Sequence, residues 1–102
     1  MSQPSIGRIV HYRLTKDQAE AINQRYEHAA DRRQVMQDLK FGFQAHVGNR
    51  PLEGDIVAMV VTAVWGPEMV NGQCLLDGTD SMWVTSAHAG DGPGTWSWPP
   101  RV

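Results

Sequence analysis

The chain has a single cysteine, Cys74, in 102 residues, which excludes an internal disulfide and fits a reducing compartment. It has no apolar run long enough to cross a bilayer as a helix. The longest, IVAMVVTAVW at residues 56–65, is ten residues and reads as a buried strand. The opening MSQPSIGR lacks a basic segment followed by an apolar one, so no secretory signal is expected and the protein is read as soluble and intracellular. Glycine and proline are missing between Gly7 and Gly42, whereas nine of the ten glycines and five of the six prolines fall from Gly42 onward. The first stretch is therefore free to be helical, and the rest is cut into short pieces by turns. A strong excess of basic charge is also missing. The net charge is −2, with seven Lys/Arg against five acids in residues 1–40 and two against six in residues 41–102. Neither half carries the footprint of a protein that neutralises many phosphates, so non-specific nucleic-acid binding is disfavoured. A small anion held by one or two arginines remains compatible with this balance.

The patterns that are present describe one domain, residues 1–102, with an α+β fold. SIGRIVHYRL alternates, with Val10, Tyr12 and Leu14 on one face, and reads as a first strand. Thr15 and Gln18 then stand at capping-box spacing. Ala19, Ile22, Tyr26 and Ala29 recur at helical intervals, with Glu20, Arg25 and Glu27 off the stripe, and Val35, Met36 and Leu39 extend the apolar side. This predicts one helical segment near residues 16–40. FQAHV reads as a strand ending at the turn Gly48-Asn49, and NRPLEGD as a loop. The apolar run at 56–65 is the central-strand candidate. Asn71-Gly72, between MV and QCLL, is a hairpin signature, and QCLLD, SMWVTS and TWSW are further short strands. The expected architecture is a small, mainly antiparallel β-barrel or sandwich of SH3-like size with that one helix.

Familiar catalytic and metal-binding arrangements are absent. His11, His28, His46 and His88 are scattered, and Cys74 has no CxxC partner. Asp77 and Asp80 flank a glycine but lack the distal glutamate of a calcium loop, which favours an Asx-type turn. Ser86 near His88 has no third orienting group, and GDGPG is broken by Pro93 before a strand rather than opening a helix. The expectation is a protein that is not an enzyme and needs no metal and no cofactor.

The tryptophans carry the strongest signal, because Trp83, Trp96 and Trp98 stand in the last 26 positions up to Pro100. Trp65, at the end of the most apolar strand, is expected in the core. For Trp83, Trp96 and Trp98 two readings stand level: they seal a core short of apolar area, or they offer faces on which a flat group stacks. Trp96 and Trp98 are two apart and share a strand face. Arg8, Arg13 and Arg50 could supply charge to a phosphate. His46 and Asn49 around Gly48 either make a plain turn or place polar donors at a barrel rim.

The blocks GRIVHYRLTKDQAEAIN, QAHVGN, EGD, VVTAVW, VNGQCLLDGTDSMWVTS and GTWSWP, in that order, resemble a family of small tailed-phage and prophage proteins. The resemblance spans nearly the whole chain apart from residues 25–40. Where relatives have a proline ahead of the VV strand, this chain has Ala58 and Met59, which bears only on where that strand starts. The resemblance implies phage origin, action in the host cytoplasm and no settled activity. LDGTDSMWVTS is similar to aromatic-and-serine strand segments of small phage proteins that capture nucleotide immune signals. The expected role is thus a binding protein for a small anionic nucleotide-type ligand, a form of counter-defence. Its candidate contacts are Arg13, His46, Asn49, Arg50, Trp83, Ser86, Trp96 and Trp98. A homo-oligomer is expected, since subunit interfaces supply pockets that so short a chain does not. The competing expectations are a virion accessory or assembly protein and a direct inhibitor of a host protein.

Overall fold

A computed structural model of the chain describes residues 3–38, 51–77 and 80–100, with only the backbone described for residues 28–38. The alternation of the first strand is realised in β1 (Ile9–Arg13), which buries Val10 and Tyr12, with Leu14 buried just beyond it. The chain then enters α1 (Lys16–Asp38) through the expected capping box. Gln18 N–H donates to Thr15 Oγ1 at 3.1 Å, and Thr15 N–H donates to Gln18 Oε1 at 2.9 Å. Such a cap stabilises a helix by roughly 1 kcal/mol. Gln18 Nε2 also donates to the Tyr12 hydroxyl at 2.9 Å, which fastens the cap to the strand beneath it. Ala19, Ile22 and Tyr26 are buried, and Glu20, Arg25 and Glu27 face solvent, as the helical spacing requires. The strand expected at FQAHV and the turn at Gly48-Asn49 lie outside the described residues.

β2 (Ile56–Val64), β3 (Met69–Leu75) and β4 (Ser81–Ala89) form an antiparallel meander, and β5 (Thr95–Ser97) lies between β4 and β1. The order β1-β2-β3-β4-β5 closes into a barrel. Every pairing is antiparallel except β4 with β5. Closure leaves no unpaired sheet edge, which a short chain cannot cover by other means. The core is filled from inside by Val10, Tyr12, Met59, Val61, Val70, Cys74 and Trp96, with Ile22 and Tyr26 of α1 in the same cluster. No helix among the described residues is long and apolar enough to cross a membrane.

Asn71-Gly72 does not form the expected turn. The β2–β3 connection is residues 65–68, around Gly66-Pro67, where Trp65 N–H donates to the Met69 carbonyl at 2.9 Å. Asn71 and Gly72 lie inside β3. Gly72 is required there by packing: a Cβ would overlap the Met59 side chain and lie 2.9 Å from the Val60 carbonyl oxygen. Register shifts flank Asn71 on both sides. One extra residue, Thr62, sits in β2 between Val61 and Ala63, and β4 carries an extra residue between Val84 and Ala87. Within that second bulge Ser86 has φ 55°, the one positive φ outside glycine among the described residues.

The thiol of Cys74 is fully buried, and burial pushes it up to about 12 from the usual 9.0. The neutral thiol is thus favoured by folding. Above about pH 9 the unfolded chain loses this proton first, so stability should fall by roughly 1.4 kcal/mol per pH unit as the pH rises toward 12. At pH 8 the thiol should resist iodoacetamide in the folded protein and react in 8 M urea, at about the rate of a free cysteine. Equal rates in both states would mean that the barrel opens readily at β3.

Candidate ligand-binding groove

Three segments meet at one rim of the barrel. Ala89 N–H donates to the Glu68 carbonyl at 2.8 Å, and Gly90 N–H donates to the Trp96 carbonyl at 3.0 Å. The indole N–H of Trp96 donates to the same Glu68 carbonyl at 2.9 Å. These bonds draw the β2–β3 turn, the end of β4 and β5 together. They leave a groove of about 470 Å³ lined by Gln3, Pro67, Glu68, Ala89, Gly90, Asp91, Trp96, Ser97 and Trp98.

The two tryptophans of TWSW divide the work. Trp96 is 2 % exposed and belongs to the core, with little more than an edge on the groove. Trp98 is half-buried and stands edge-to-face against Trp96, with centroids 5.7 Å apart and an interplanar angle of 86°. The Arg8 guanidinium lies over the Trp98 ring at 4.8 Å from its centroid, a cation–π arrangement. Arg13 Nη1 donates to Ser97 Oγ at 3.2 Å. Arg8 and Arg13 thus contact the groove residues Trp98 and Ser97 without lining the groove, whose charged residues are Glu68 and Asp91.

The remaining expected contacts are not gathered here. Trp83 is 58 % exposed on the outer face of β4, paired with Gln73 of β3. Ser86 lies in the β4 bulge, where its N–H donates to Asn71 Oδ1 at 2.8 Å and its hydroxyl is 3.4 Å from that of Thr85. His46, Asn49 and Arg50 lie outside the described residues. Trp65, expected in the core, is instead 61 % exposed, because β2 ends at Val64 and the ring projects from the turn with its N–H on Asn71 Oδ1 at 2.9 Å. The outer wall carries a row in register across four strands, Ile9, Val60, Gln73 and Trp83, beside exposed Leu75.

Glu68 and Asp91 were not among the expected contacts. Each is a loop acid, and only the hydrogen bonds at the rim bring them beside Trp98. Among the described residues no three His, Cys, Asp or Glu side chains are placed to hold a metal ion. Comparison with protein-family models, curated proteins and solved structures yields no match.

Proposed function

We propose that this chain is a non-enzymatic, phage-encoded binding protein that sequesters a small nucleotide-type ligand in the groove beside Trp98, in the cytoplasm of the host. The observation that carries the reading is the half-buried Trp98 ring in a groove of about 470 Å³, with Arg8 over that ring and Arg13 bonded to Ser97. Pockets of roughly 300–1,000 Å³ suit small organic ligands. A base stacked on tryptophan gains roughly 1–3 kcal/mol. Glu68 and Asp91 in the groove can accept from the amino edge of a base, and a phosphate reaching past Trp98 and Ser97 would meet the guanidiniums of Arg8 and Arg13.

Calorimetric titration with a panel of cyclic and linear nucleotides is expected to give saturable heat for at least one of them. Trp98→Ala should weaken that binding about tenfold or more, and Trp83→Ala should leave it unchanged. A silent panel would sink the proposal, as would equal losses from the two variants.

The row Ile9, Val60, Trp83 and neighbouring Leu75 favours a second reading, in which this outer wall meets a protein: another copy of the chain, a virion component or a host target. A silent nucleotide panel together with an oligomer that Trp83→Arg dissociates would put that reading first.

A further inference from the structure

The outer face of β3 and β4 carries a surface that the groove beside Trp98 does not use. Neither strand holds an Asp, Glu, Lys or Arg. Gln73 pairs with Trp83 across them, and Asn71 and Thr85 lie two residues along each strand from that pair, on the same face. Trp83 is 58 % exposed. Trp65, 61 % exposed, reaches the strip from the turn before β3. Its indole N–H donates to Asn71 Oδ1 at 2.9 Å, and the Thr85 hydroxyl donates to the same oxygen at 3.2 Å. Two exposed indoles thus border one strip, with Thr85 between them, about 7 Å along β4 from Trp83.

Trp65 is held in place where exposed side chains are usually free. Its one polar atom is spent on Asn71, which is 8 % exposed, so what it leaves to solvent is ring surface. A ring already fixed loses little freedom when a ligand covers it. The face of an indole is the negative side of its quadrupole and attracts weakly positive C–H groups. The polar groups beside the rings are neutral and of both kinds. The Gln73 amide donates and accepts; the Thr85 hydroxyl has its proton on Asn71 and accepts; the exposed Ser86 hydroxyl, 3.4 Å from it, does either. A phosphate finds no basic side chain on these strands, and an ammonium finds no carboxylate. A proline-rich peptide, a common occupant of aromatic strips, offers mainly carbonyls, and the Trp65 N–H that could meet one is already taken. A pyranose presents C–H groups on its face and hydroxyls on its edge, each able to donate and accept. It matches both the rings and the polar groups between them.

We infer that the outer face of β3 and β4 is a binding site for a neutral oligosaccharide. Its sugar rings stack on Trp65 and Trp83, and its hydroxyls bond to Gln73, Thr85 and Ser86. The site is separate from the Trp98 groove and does not rest on the nucleotide reading.

The test is titration of the full chain with cellotetraose, chitotetraose and maltotetraose, followed by NMR of the indole and backbone N–H groups. Saturable shifts of the Trp65 and Trp83 indoles and the Ser86 amide, with the Trp98 indole unmoved, are expected for at least one of the three. Trp83→Ala should weaken that binding about fivefold or more. Ser86→Gly removes a hydroxyl while relieving the φ of 55°, so it should stay folded and weaken binding about threefold. No saturable response to any of the three saccharides overturns the inference. So do shifts as large at Trp98 as at Trp65 and Trp83, or undiminished binding by Trp83→Ala. A response to decaproline in place of the saccharides also overturns it, as does a dimer that Trp83→Arg dissociates, since either gives this face to a protein.

Discussion

Trp96→Ala is expected to lower the unfolding free energy by about 3–5 kcal/mol, as removal of a large buried aromatic ring typically does. Trp96 is where the barrel closes. β5 has three residues, and its central one pairs with Tyr12 of β1 on one side and Ala89 of β4 on the other. Its ring is 2 % exposed, meets Trp98 edge-on and sends its N–H to the Glu68 carbonyl of the β2–β3 turn. Truncation would leave a void where the two walls join and would remove one of the two donors to the Glu68 carbonyl, which keeps the Ala89 N–H. A domain of this size has about 5–15 kcal/mol in hand, so a loss of this order removes about a fifth or more. Urea denaturation followed by far-UV circular dichroism measures it. Trp96→Phe should recover most of the packing but not the hydrogen bond, leaving a deficit of roughly 1–2 kcal/mol. If Trp96→Ala cost less than about 1 kcal/mol, the ring would not be the closing residue and its burial would be incidental.

The four tryptophans thus have different work, and sequence position says little about which does what. Trp96 seals, Trp98 stands half in the groove, and Trp65 and Trp83 face outward. Features written in neighbouring residues were legible. The alternation of β1 and the Thr15–Gln18 box depend on residues at most a few apart, and the mainly antiparallel barrel with one helix follows from short strands and dense turn signals. Features set by distant residues were not. Asn71-Gly72 carries the composition of a tight turn, but glycine is equally what a strand needs where another backbone comes close. Its reason lies across the sheet, in Met59 and the Val60 carbonyl. Trp65 follows an apolar run, yet only Met59 and Val61 of β2 are fully buried, so the run is one-sided and its end is a turn. The groove is still less local. Arg8 reaches Trp98 from the other end of the chain, and Glu68 arrives through bonds from Ala89 and Trp96.

Asn71 gives the sharpest test of how the barrel keeps its register. Its Oδ1 accepts three donors: Trp65 Nε1–H at 2.9 Å, Ser86 N–H at 2.8 Å and the Thr85 hydroxyl at 3.2 Å. The residue is 8 % exposed and lies between the bulge of β2 and the bulge of β4. One carbonyl oxygen therefore holds the turn before β3 and the irregular stretch of the strand after it. Asn71→Ala should cost about 2–3 kcal/mol, at roughly 1 kcal/mol per bond, with Trp65 and Thr85 partly repaid by water because both are exposed. Ser86 supplies a cross-check. Its φ of 55° is held in place by the bond from its own N–H, and Ser86→Gly would relieve that strain. In the wild-type background Ser86→Gly should be nearly neutral, whereas in Asn71→Ala it should restore about 1 kcal/mol. Such coupling in a double-mutant cycle would assign the β4 bulge to Asn71. Additive effects would assign it instead to the close approach of Gly72 to β2, with the asparagine merely filling the space that the bulge leaves.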